Sequence, residues 1–130
     1  MTDDGSSEAT PFRAAPRSDR AASATHHERV DEVRAAIVRL GDLTVSDLDD
    51  RSGDTMLRVE AIIIRAAALV ERLPGEVRDK LAVDDVRGLT GIRNVVAHGY
   101  GQLDPEITVR VIHASLPRVL DGIDAALGEG

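Results

Sequence analysis

The sequence predicts an all-α protein, an up-and-down bundle of four main helices plus a short one. Three observations predict it. Apolar residues recur every three or four positions through most of residues 28–127, and no stretch alternates as a strand would. Hydrophobic residues make up 42% of the chain and aromatic ones only 2%, so the core must be aliphatic. Aliphatic residues at helical spacing favour packed helices over a β-sandwich, whose strands draw on aromatic and β-branched residues. Finally, 130 residues suit one domain with one core.

Residues 1–25 are rich in Ser, Ala, Arg, Asp and Pro without apolar periodicity, and read as a disordered tail ahead of a domain spanning 26–130. His26 and His27 sit where tail and helix meet. Adjacent helical residues point about 100° apart, so the pair reads as solvated rather than metal-binding. In residues 28–40, Val30, Val33, Ile37, Val38 and Leu40 keep helical spacing, and Gly41 ends the run. The acidic stretch Ser46-Asp47-Leu48-Asp49-Asp50 lacks the glycine and glutamate of a calcium loop and reads as a solvated turn.

A second helix is expected over residues 54–73, with Asp54 or Thr55 as its cap. Met56, Leu57, Val59, Ile62, Ile63, Ile64, Leu69, Val70 and Leu73 make it apolar around much of its circumference. Such a helix is expected at the centre of a bundle and against a second subunit. Pro74-Gly75 ends it, and a short helix over 76–81 follows. Asp84 or Asp85 is the expected cap of a fourth helix carrying Val86, Leu89, Ile92 and Val96. Gly99 and Gly101 stop it. Asp104-Pro105 opens the last helix, with Asp as N-cap and Pro at its first position. Pro117 is expected to kink that helix.

Composition narrows function. Without cysteine the chain has no disulfide or thiolate metal site, and no histidine cluster has metal-ligand spacing. No cofactor is expected. No apolar run is long enough to span a bilayer, and the N-terminus lacks a signal peptide's basic start and apolar stretch. A cytoplasmic protein follows. A net charge of −7 argues against stable DNA binding, because broad nucleic-acid contact needs a basic surface. Local contact by a few arginines is compatible with it.

The densest chemistry is Arg93-Asn94-Val95-Val96-Ala97-His98-Gly99-Tyr100, at the end of the fourth helical pattern. Arginine offers a planar fork of donors to phosphate. Histidine exchanges a proton near neutrality. Arg93 and His98 would leave a straight helix about 140° apart. A site using both needs the helix to end between them, or a second chain. By spacing alone the case for a site is weak, and a surface arginine, a polar helix terminus and a tyrosine packed on the bundle end are the more ordinary reading.

Arg93, His98 and Tyr100 resemble the Arg-(four to six residues)-His-X-Tyr motif of HepT-like toxins, in the HEPN superfamily of helical bundles. Gly91-Ile92-Arg93-Asn94 is similar to that family's Gly-Leu-Arg-Asn, and Leu73-Pro74, residues 103–107 and Leu116-Pro117 resemble its flanking pattern. The resemblance covers residues 28–127. Two positions depart from it. Ile64-Arg65 stands where the family often has Gly-Glu, and Asp85-Val86 where it often has Pro-Trp.

The resemblance implies a HEPN-like fold and a homodimer. It also implies a metal-independent endoribonuclease, the toxin of a type VII toxin-antitoxin system. Its partner would be a minimal nucleotidyltransferase antitoxin, which neutralises such toxins by transferring AMP to the motif tyrosine. Carried over, Arg93 and His98 are catalytic, Tyr100 accepts AMP, and Asn94 supports phosphate or RNA contact. The alternative is a non-catalytic, nucleotide-binding partner of the nucleotidyltransferase. A bundle that only mediates protein contacts is the third class.

Overall fold

The computed structural model describes residues 16–49, 53–98 and 103–128. They form an all-α bundle, and no strand occurs among them. Helix α1 spans Pro16–Leu40, α2 Asp54–Arg72, α3 Gly75–Arg78, α4 Val83–His98, α5 Pro105–Arg110 and α6 Leu116–Leu127. One 3₁₀ turn, Ser46–Leu48, lies between α1 and α2. A π-helical turn, Val111–Ser115, joins α5 to α6. Arg110 and Ser115 keep right-handed helical dihedrals at both joins, so residues 105–127 run as one helical rod.

The helices close a four-sided ring. α2 packs on α1 and α4, and α6 packs on α4 and back on α1. Val30, Ile63, Leu89, Ile112, Leu116, Leu120 and Ile123 are almost entirely buried inside it. Each such side chain gains about 1.5–3 kcal/mol on leaving water, so an aliphatic core suffices without aromatics. Helix α2 buries Met56, Val59, Ile62, Ile63, Ala66, Ala67, Leu69 and Val70. Leu57 and Ile64 remain about half exposed on its outer face.

Several boundaries differ from those the sequence suggests. α1 begins at Pro16, so residues 16–25, expected in an unstructured tail, are helical. Ala-rich sequence propagates a helix without burying it, and Thr25 Oγ1 donates to the Ala21 carbonyl at 3.0 Å. His27 is not merely solvated: its Nδ1 lies 2.6 Å from Asp124 Oδ1, beside Arg34, which donates to Asp124 and Asp121. This cluster ties α1 to α6. His26 is half-buried. Burial first, then the neighbouring Arg29 and His27 charges, lower its pKa.

The acidic caps also moved. α2 is preceded by Gly53, with no side-chain cap. Asp85 is buried in the first turn of α4, where Arg118 of α6 grips it through Nε at 3.0 Å and Nη2 at 2.8 Å. Those hydrogen bonds hold its carboxyl below the usual carboxylate range, against the opposing effect of burial. Asp104 caps as the sequence predicts, accepting from the Glu106 and Ile107 amides at 2.9 and 3.2 Å. Pro117 has no N–H for the His113 carbonyl, and the π turn sits directly ahead of it. The Ser46–Leu48 turn is fastened by Asp47 and Thr44, each side chain accepting from the other's amide. Leu43 N–H also donates to His113 Nε2 at 2.8 Å, pinning this loop to the π turn.

Candidate functional site

The candidate site is built on the last two turns of α4. Leu89 and Ile92 bury the inner face of that helix, and Val96 packs at the core margin. Arg93 follows Ile92 by one residue, so it leaves the helix at the edge of the buried face and reaches α2. There its Nη2 donates to Glu71 Oε2 at 2.7 Å. The arginine side chain is about one-third exposed and the glutamate more than half. Arg93 Nε is buried and makes no hydrogen bond among the described residues. The guanidinium spends one donor on Glu71, and because Nε is closed off from solvent, an incoming anion is left the other Nη hydrogens.

His98 is the last residue of α4 and is exposed. Its Nδ1 sits 2.7 Å from the Asn94 carbonyl oxygen, one turn back. A carbonyl only accepts, so Nδ1 carries the proton in this contact. The exchangeable lone pair of the neutral ring is then on Nε2. Asn94 is exposed and lies one step from Arg93. Tyr100, with Gly99, Gly101 and Gln102, lies outside the described residues.

α4 is regular through His98, so Arg93 and His98 project about 140° apart. One copy of the helix does not turn both toward a common point. Arg93 faces the α2 side, and His98 folds back along its own helix. No group of three or more His, Asp or Glu with metal-binding geometry exists among the described residues. No helix among them is long and apolar enough to cross a membrane.

Glu71 is the site residue that sequence reasoning missed. It stands 22 positions from Arg93 on another helix. Its place, two heptads beyond Leu57 on the outer face of α2, marks it only as a solvated charge. The meeting of the two side chains depends on how α2 and α4 pack.

Fold and site together define a helical-bundle protein with an arginine–histidine pair at the exit of one core helix. The family model for HepT-like ribonucleases matches residues 31–126, and the chain belongs to that family. The matched segment runs from the second half of α1 to the C-terminal turn of α6, with Arg93, Asn94, His98 and Tyr100 inside it. No curated protein and no solved structure matches the chain at a significant level.

Proposed function

We propose that this protein is a metal-independent endoribonuclease, the toxin of a type VII toxin-antitoxin pair, with Arg93 and His98 as its catalytic residues. The observation that carries the reading is the state of those two side chains within a HepT-like ribonuclease bundle. Arg93 keeps Nη hydrogens beside its contact to Glu71, and His98 is oriented by its own helix, with Nδ1 against the Asn94 carbonyl. The domain that carries the activity is residues 26–130.

RNA supplies its own nucleophile. His98 Nε2 takes the proton of a ribose 2′-hydroxyl, the 2′ oxygen attacks the adjacent phosphorus, and the bond to the 5′ oxygen breaks. A protonated histidine returns a proton to that leaving oxygen. The products are a 2′,3′-cyclic phosphate and a 5′-hydroxyl. Acid-base help of this kind is worth about 10²–10⁴-fold. Arg93 stabilises the charge that gathers on the phosphoryl oxygens, with Asn94 as a supporting contact. DNA lacks the 2′-hydroxyl and resists this route.

The divergence of Arg93 and His98 supports a homodimer that completes the site across a two-fold axis. Exposed Leu57 and Ile64, on the same outer face of α2 as Glu71, supply an apolar surface for the contact. A cognate minimal nucleotidyltransferase silences the toxin by placing AMP on Tyr100. The added phosphate pairs with Arg93 and occupies the substrate's place.

The test is cleavage of single-stranded RNA by purified, unmodified protein in EDTA. Wild type should cut and leave a cyclic phosphate, while Arg93→Ala and His98→Ala should not, at unchanged helical content. Strict dependence on Mg²⁺ refutes the mechanism. Nucleotide binding without cleavage would assign the chain instead as a non-catalytic partner of the nucleotidyltransferase.

A further inference from the structure

Helix α2 carries a second feature that the catalytic reading does not use. Arg58, Arg65 and Arg72 are spaced one heptad apart, and Ala61 and Ala68 stand between them. A heptad drifts only about 20° around an α-helix. The three arginines therefore form one row, about 10.5 Å from each to the next at 1.5 Å per residue. The row runs along the edge of α2 that faces α1.

Two depressions of about 400 and 550 Å³ open there between the helices, and Arg65 lines both. Arg29 and Arg39 of α1 line the opposite wall. Alanine at positions 61 and 68 keeps the space between the arginines open. None of these five arginines has a carboxylate within ion-pair distance among the described residues. Arg34, Arg93 and Arg118, by contrast, are all paired. In a chain of net charge −7, five arginines lining one groove, none ion-paired among the described residues, are a concentrated local exception. Glu28 and Glu32 line the α1 wall of the smaller depression, which keeps the cationic track on the α2 side.

We propose that the α1–α2 groove, with the Arg58–Arg65–Arg72 row as its spine, binds the phosphate backbone of single-stranded RNA. This rests on the ribonuclease reading for the identity of the polyanion. Charge complementarity selects the occupant: three cations at regular spacing suit a repeating anion better than a single phosphate. The row ends at Arg72, next in sequence to Glu71, which holds Arg93. Arg72 and Glu71 share the C-terminal turn of α2 on neighbouring faces, about 100° apart.

Among the described residues no aromatic side chain lines the groove to offer bases a stacking platform. Recognition is by backbone, tolerant of sequence and steeply dependent on salt. An acidic protein thus holds RNA locally without a basic surface overall.

The experiment is fluorescence anisotropy with a 2′-O-methyl RNA of about 12 nucleotides, a length suited to a single-strand groove. The methyl groups block cleavage, so binding is read separately from catalysis. The variant Arg58→Gln/Arg65→Gln/Arg72→Gln is compared with Lys80→Gln/Arg87→Gln/Arg110→Gln, which removes the same charge from exposed positions outside the groove.

The row variant should bind at least tenfold more weakly at low salt. Its slope of log affinity against log salt should fall by about 2, since each lost phosphate contact contributes about 0.7. The control should stay close to wild type. Equal weakening in both variants would overturn the proposal, as would wild type that does not bind the RNA. A loss of oligomeric mass by light scattering in the row variant would assign the arginines to a subunit contact and overturn it too. Binding through the row by a protein that never cuts natural RNA would refute the ribonuclease reading while leaving the groove assignment intact. Undiminished cutting and binding by the row variant would do the reverse.

Discussion

Replacing Glu71 with glutamine separates two roles that its contact with Arg93 can play. The Nη2–Oε2 distance is 2.7 Å, but both side chains are partly solvated, Glu71 by more than half. Exposed pairs of this kind contribute about 0.2–1 kcal/mol. An RNA phosphate arriving at Arg93 must displace or share that carboxylate, so up to this amount opposes binding. With about 1.4 kcal/mol per tenfold change, Glu71→Gln should lower KM for RNA by about 1.4- to 5-fold.

The glutamine keeps an acceptor for the guanidinium, so kcat should be nearly unchanged. Stability should fall by less than about 1 kcal/mol. The assay is steady-state cleavage of a short fluorogenic RNA, with urea melts of the same samples. A tenfold or larger loss of kcat at constant KM would refute the reasoning. It would mean that Glu71 holds Arg93 for the transition state rather than competing with substrate.

Other outcomes follow from the same structure. Tyr100→Phe should carry no AMP after co-expression with an active nucleotidyltransferase and should stay toxic; mass spectrometry that finds AMP on another residue instead rejects Tyr100 as the switch. His113→Ala leaves the amide of buried Leu43 without its 2.8 Å acceptor, which should cost about 1–3 kcal/mol in urea unfolding. His113→Gln, with an amide oxygen to offer, should recover part of the loss.

Acid should destabilise the fold through two carboxylates. Arg118 lowers the pKa of Asp85; at Asp124, burial pushes upward but hydrogen bonds from Arg34 and His27 outweigh it. Both folded pKa values lie below their unfolded ones. Their contribution is therefore complete above the unfolded value of about 4 and lost as pH falls through the folded values. The urea midpoint should drop between pH 6 and pH 3, by less in Asp85→Asn; an identical drop in that variant would exclude Asp85 as a source.

Fold class and helix order were legible in the amino-acid pattern. Those depend on local periodicity and on stop signals such as Gly41, Pro74-Gly75 and Asp104-Pro105, which act within a turn or two of chain. The place where chemistry gathers was legible too, because Arg93, Asn94, His98 and Tyr100 are neighbours in the chain and their spacing carries the family motif. What those residues meet depends on how the helices pack. Asp85 looks like a helix cap until α6 brings Arg118 to it, and His27 looks solvated until Asp124 arrives from 97 residues away. Glu71 is an ordinary surface acid until α4 lays Arg93 against it. Helix periodicity is written in side chains a few positions apart, whereas ion pairs between helices depend on rotation and crossing, which the packing of the whole aliphatic core sets at once.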